Sequence, residues 1–166
     1  MGKLADSSLC ATKIGDFGFV TCASPRYLAR KGRPSSPEHL VDHDGVIFSH
    51  IAEPGWIYQR KGRRLEGKPN IRVCASTATA TVTAAVRGVG IIRVPLYQVA
   101  KELGSGALVT LFDGYESQSF PVHLVYRQQG LLPLKVRAFI DWMTPRLRRS
   151  LKDLAAFKPA GDRANE

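Results

Sequence analysis

Acidic residues are in short supply: 14 Asp and Glu stand against 24 Lys and Arg in a chain of 166, a formal charge of +10. Such an excess attracts acidic small molecules, anionic surfaces or nucleic acid, and it equally fits an ordinary solvated basic surface. Cysteine is scarce too. Cys10, Cys22 and Cys74 are widely spaced and never form a CxxC pair, which excludes a disulfide framework and a cysteine zinc site; all three are expected to be buried, reduced thiols. The longest stretch free of charge, residues 73–86, is too short and too rich in Thr and Ala to span a bilayer, so no membrane contact is expected. The opening MGKLADSSL lacks the apolar core of a signal peptide, which points to the cytoplasm.

Catalytic signatures are missing as well. The chain has no GxSxG, no HExxH, no Walker sequence and no recognisable pair of carboxylates. Cys22 and His123 could form a thiol pair only by a tertiary accident. Gly88 and Gly90 follow a helical pattern and precede a strand-like one, the reverse of a dinucleotide fingerprint. His39 and His43 are four apart beside Glu38 and Asp42, but a third ligand is not evident from the spacing. Neither an enzyme, nor a cofactor, nor a metal site is expected.

What remains is enough apolar content, 44% of residues, for one compact domain or two small lobes. Residues 19–22 are a strand-like run ending at Ser24-Pro25, a cap followed by a proline at the first helical position, and Gly32 closes that helix. Ser36-Pro37 repeats the signal before a short helix and the strand 46–48. Residues 56–59 and 71–74 read as strands flanking the basic loop RKGRRLEGKPN, together a plausible hairpin. A helix capped by Ser76 or Thr77 runs to Arg87, with Gly88 after it.

Strands at 91–94, 108–111 and 120–126 and a helix from Tyr97 to Leu103 follow. The last pattern, Val136, Phe139, Ile140, Met143, Leu147, Leu151 and Leu154, is helical, but Pro145 interrupts it. A break or kink is expected there, with Thr144 capping a second piece. This alternation implies a mostly parallel α/β sheet that binds ligands outside the carboxyl ends of its strands.

Three candidate features follow from the residues themselves. Free amides at the helix start near Ser76 and Thr77 attract carboxylates, and the two hydroxyls could add donors, although one of them is expected to cap its own helix. Arg93 lies inside the apolar GIIRVP, where an unpaired buried charge would be costly. It must reach water at a strand edge, the favoured reading, or an acidic partner or anionic ligand. Six cations, Arg60, Lys61, Arg63, Arg64, Lys68 and Arg72, accompany only Glu66, and Arg146, Arg148, Arg149 and Lys152 form a second cluster. Either could touch phosphates, but aromatic interleaving is sparse and a recognition helix is not visible.

The stretches ASPRYLARKG (residues 23–32), TAAVRGVGIIRVPLY (83–97) and VHLVYRQQGLLPLKVRAFIDWM (122–143) occur in an order and spacing that resembles the effector-binding domain of LysR-type transcriptional regulators. The resemblance covers nearly the whole chain. It implies a two-lobed, type 2 periplasmic-binding-protein-like α/β fold, with residues 1–18 and 122–156 as a partial first lobe, 19–121 as a complete second lobe and 157–166 as a flexible tail. It also implies a chain truncated at its N-terminal side, without the winged helix-turn-helix and linker helix.

By the same resemblance, Ser76 and Thr77 face the cleft, at a turn where the family often has an Asn-Asp pair. Ser49 and His50 occupy the effector-contacting loop, and Lys3, where an Arg is common, projects from the first lobe with Ser7 after it. Together with Arg93 these are the candidate effector-binding residues. The implied ligand is a small organic effector, anionic in character. The implied partners are a second copy of the chain or other LysR-type regulators, with DNA reached only through the DNA-binding domain. A two-lobed solute-binding protein and a basic nucleic-acid-associated protein are the alternatives.

Overall fold

The computed structural model describes residues 9–49, 55–117, 119–127 and 132–156. These form two compact units, one holding the described residues up to Phe17 and from Phe120 to Ala156, the other holding Gly18–Ser119. The long strand β1 (Leu9–Ala23) contributes residues to both.

In the first unit β1 pairs with β9 (Ser119–Arg127), and the rings of Phe17 and Phe120 stack with centroids 5.7 Å apart. Helix α4 (Leu134–Ala155) lies against β1. Arg148 Nη2 donates to the Lys13 carbonyl at 3.1 Å, and a side chain on Gly15 would meet Leu151 Cδ1 at 2.8 Å. Of the break or kink expected at Pro145, the break does not occur, because α4 continues through it. A mid-helix proline costs about 3 kcal/mol, but Ile140, Met143, Leu147, Leu151 and Leu154 keep one buried or half-buried stripe across it. Full burial of such a side chain is worth about 1.5–3 kcal/mol, so five that are buried or half-buried together outweigh the lost bond. Thr144 is therefore a buried mid-helix residue and caps nothing. Leu134, Phe139, Trp142 and Val125 of this unit are exposed.

The second unit is built on a parallel pair of strands linked by a single bridge to an antiparallel group around β1. β2 (Asp44–Phe48) pairs in parallel with β5 (Asn70–Ala75), bringing Phe48 opposite Ala75. A parallel bridge from Gly45 to Ile91 joins β2 to the start of β6 (Ile92–Pro95). β1 is antiparallel both to β6 and to β7 (Val109–Leu111). The sheet is therefore mixed, contrary to the mostly parallel expectation. Alternating strands and helices constrain connection lengths, but they leave open the direction in which a given strand enters the sheet.

Helices α2 (Ala78–Val86) and α3 (Ala100–Gly104) cover one face, where Val82, Ala85 and Leu103 pack on Cys22, Val46, Ile92 and Val94. On the other face Tyr27 of α1 (Pro25–Lys31) packs with Leu40, Trp56, Tyr58 and Ile91. Ser24 accepts the Tyr27 amide and Pro25 opens α1, as the sequence signals. A 3-10 turn, Pro37–Asp42, follows.

The basic stretch forms a hairpin, but with different partners from those expected. β3 (Trp56–Arg60) returns at once as β4 (Arg63–Gly67), and β8 (Glu116–Ser117) flanks β3. Residues 71–74 belong instead to the parallel pair. The thiols also depart from expectation, since only Cys22 is buried, while Cys10 is half-buried and Cys74 is exposed on β5.

Candidate functional site

The parallel register of β2 and β5 ends at Phe48 opposite Ala75, so the next residues, Ser49 and Ser76, emerge beside each other at the carboxyl edge of the pair. Both are exposed. The chain turns directly into α2 here, and Thr77 is its cap: Oγ1 accepts the Ala80 amide at 3.2 Å, and the Thr77 carbonyl accepts the Thr81 amide and hydroxyl, both at 3.1 Å. The hydroxyl of Thr77 is thus committed to its own helix. The Ala78 and Thr79 amides belong to the first turn and have no intrahelical acceptor. Together with the Ser76 and Ser49 hydroxyls they make this edge a donor-rich strip with the positive end of the helix behind it.

Lys3, Ser7 and His50, the other residues expected to contact an effector, lie outside the described residues. Arg93 is not gathered with Ser76. Along β6, Ile92 and Val94 face α2 and α3, and Arg93 projects to the opposite face. Its Nη2 donates to the Ile57 carbonyl at 3.1 Å, and its guanidinium lies 5.1 Å from the centre of the Phe19 ring and 5.3 Å from that of Tyr58. The cost of a charge in an apolar strand is met there by a carbonyl and two ring faces, which tie the hairpin to the sheet.

A concavity that the sequence did not signal lies beyond β6. Phe19, Thr21, Tyr58, Leu96, Phe112 and Tyr115 are among the residues around a space of about 270 Å³. Tyr58, Phe112 and Tyr115 meet edge to face with centroids 5.5–6.4 Å apart. Thr21 Oγ1 and Tyr58 Oη are 2.7 Å apart, and burial pushes the Tyr58 phenol up to about 12. Phe112 has φ +64, and Gly114 after it has φ +85. A second depression of about 270 Å³ runs along α2 between Thr79, Val82, Thr83, Gln98 and Glu102.

Cys22 has no nucleophilic setting. It is fully buried in the core, and desolvation pushes its thiol far up, with the charge of Glu102 adding to the effect. His39 bonds Ser35 Oγ through Nδ1 at 2.9 Å, and His43 bonds the Tyr27 phenol. Among the described residues no group of three His, Cys, Asp or Glu side chains is arranged to hold a metal ion. No helix among them is long and apolar enough to cross a membrane.

The family model described as the LysR substrate binding domain matches residues 1–148. The chain belongs to that family. Among curated relatives, the HTH-type transcriptional activator AaeR of Escherichia coli K12 is 32% identical over 154 residues, covering 87% of this chain and 47% of its own. An uncharacterized HTH-type transcriptional regulator of Haemophilus influenzae is 29% identical over 137 residues, 82% of this chain and 48% of its own. The chain thus spans about half the length of the curated relatives it matches.

Among solved structures, the regulatory domain of AphB of Vibrio vulnificus superposes with a TM-score of 0.73 at 27% identity, covering 87% of this chain and 72% of that one. The regulatory domain of CrgA, a LysR-type transcriptional regulator of Neisseria meningitidis, gives 0.72 at 27% identity, with 88% and 72% covered. The fold is accordingly the type 2 periplasmic-binding-protein-like α/β fold of LysR regulatory domains.

Proposed function

We propose that this chain is the effector-sensing and oligomerisation part of a LysR-type regulator, and that the carboxyl edge of β2 and β5 takes the acidic group of a small organic effector. The observation that carries this reading is the side-by-side emergence of Ser49 and Ser76 at the start of α2. A carboxylate there would accept from the Ser76 hydroxyl and from the Ala78 and Thr79 amides. Thr77 contributes by holding the helix end in place. Lys3, Ser7 and His50 complete the proposed contact set. Arg93 enters it only by bracing β3 against β6.

The chain is proposed to work in the cytoplasm, as a homodimer or with other LysR-type regulators. Binding would favour one arrangement of the regulator over another, and it can do so only to the extent that the effector prefers that arrangement. Sequence-specific DNA reading is assigned to parts of the relatives outside the matched half. No catalytic step is proposed, since the one buried thiol is held protonated and packed.

A thermal melt with a panel of small carboxylates and aromatic acids tests the binding claim, because a ligand of the native state raises the melting temperature by mass action. One compound should shift a cooperative transition, and Ser76→Ala should reduce that shift. A cooperative melt that no acid moves would contradict the proposal.

A further inference from the structure

The β3–β4 hairpin carries Arg60, Lys61, Arg63 and Arg64 within five positions, interrupted only by Gly62. Its two loop residues have φ +50 at Lys61 and +75 at Gly62, the sense of a type I′ turn, whose twist matches that of the strands. The register sets Arg60 directly opposite Arg63, with Gln59 opposite Arg64. Like charges facing each other across a ribbon destabilise it. All four cations are exposed, and none is in an ion pair among the described residues. Glu66, the acid of the hairpin, is held by Lys68 at 3.2 Å. Glu38 has its carboxyl lowered chiefly by its own amide and by Ser36, with Arg63 a lesser cause.

One of the cations is already ordered. The Arg60 guanidinium lies 4.8 Å from the centre of the Tyr115 ring, and its Nη1 donates to the Tyr115 phenol at 3.2 Å. Arg60, Lys61, Arg63 and Tyr115, with Ser36 and one acid, Glu38, border an open groove of about 600 Å³ in which three cations outnumber that carboxylate. Successive residues of a strand point to opposite faces, so Arg63 and Arg64 cannot converge on one small anion. A row of phosphates can engage both faces.

We propose that this hairpin docks on the phosphate backbone of duplex DNA, a sequence-independent contact separate from the effector edge. The major groove, about 12 Å wide, admits a two-stranded ribbon and has a phosphate wall on either side. The tip, Arg-Lys-Gly-Arg-Arg, offers no apolar side chain for insertion into a bilayer.

The test is fluorescence anisotropy of the full chain with a labelled random-sequence 20-bp duplex, across a series of salt concentrations. Affinity should fall steeply with salt, with a log–log slope of about 0.9 for each phosphate engaged. Arg63→Gln/Arg64→Gln should weaken binding roughly tenfold at low salt and reduce the slope by about 1.8, two phosphates' worth, while the melting temperature holds or rises as the Arg60–Arg63 repulsion is removed. If that pair lowers the melting temperature, Lys61→Gln in the turn replaces it and should remove about 0.9 of slope. Arg148→Gln/Arg149→Gln in α4 should leave binding intact. Binding insensitive to the hairpin substitutions, binding lost with the α4 pair instead, or preferential binding to phosphatidylserine vesicles would each overturn the proposal. None of these results depends on whether an effector binds beside Ser76.

Discussion

The phenol oxygen of Tyr27 lies 3.2 Å from Nδ1 of His43 and accepts the Asp44 amide at 2.8 Å. With one lone pair taken by that amide, the phenol keeps its proton and a second lone pair for Nδ1, so either ring tautomer satisfies the contact. The knot joins α1 to the entry of β2, where Lys31 and Arg72 flank the Asp44 carboxylate at 3.7 and 3.6 Å.

Burial holds the His43 imidazole below its ordinary pKa; Asp42 opposes this and Lys31 reinforces it. An unfolded histidine titrates near 6.5, about where this ring would sit if freed. As pH falls through that value the unfolded chain takes up the proton first, so stability should decline until the folded ring protonates too. Urea midpoints at pH 7.5 and 5.5 measure this. His43→Gln, which keeps an acceptor for Tyr27 but cannot titrate, should flatten the difference.

Thr77 should behave as a cap. Thr77→Ala should cost about 1 kcal/mol of stability, and Thr77→Ser should restore most of it. If effector binding centres on Ser76, the alanine variant at Thr77 should lose stability before it loses affinity, a separation that melting and titration of the same sample would show.

Lys61 occupies the left-handed region at φ +50, which costs a non-glycine residue roughly 1–2 kcal/mol. Asparagine bears this conformation better and is favoured before glycine in two-residue hairpins. Lys61→Asn should therefore raise the urea midpoint, whereas the β-branched Lys61→Val should lower it.

Gly90 sits where β2 and β6 come together. A side-chain carbon there would fall 2.6 Å from the Asp44 carbonyl oxygen, the acceptor of the Ile91 amide at 2.8 Å. Gly90→Ala should destabilise the second unit by about 1–3 kcal/mol. An unchanged melting temperature would show that the bridge can shift without cost.

What the sequence revealed was local chemistry. Ser24-Pro25, Thr77 and Gly88 announce their helix ends because caps depend on a few adjacent residues. Pairing was harder to read: the return strand of the hairpin begins at Arg63 because Lys61-Gly62 is itself a two-residue turn, a signal masked by the charge around it. At Pro145 both the proline and the apolar stripe are legible in the sequence, but that α4 runs on past it depends on burial against β1, which only the fold supplies. The concavity around Tyr58 was invisible, since residues from four separate stretches form it. Ser49 and Ser76 could be named from sequence, but their adjacency comes from the parallel register.

The most direct measurement is a two-dimensional amide NMR titration of the isotopically labelled chain with the acid that shifts its melt. Saturable movement of the Ser49, Ser76, Ala78 and Thr79 amides is expected, with a roughly tenfold weaker affinity for Ser76→Ala from the loss of one charge-assisted hydrogen bond. Movement confined instead to α4, or to a separate groove lined by Arg30, Lys31, Asp44, Arg72 and Arg87, with the α2 amides unmoved, would contradict it.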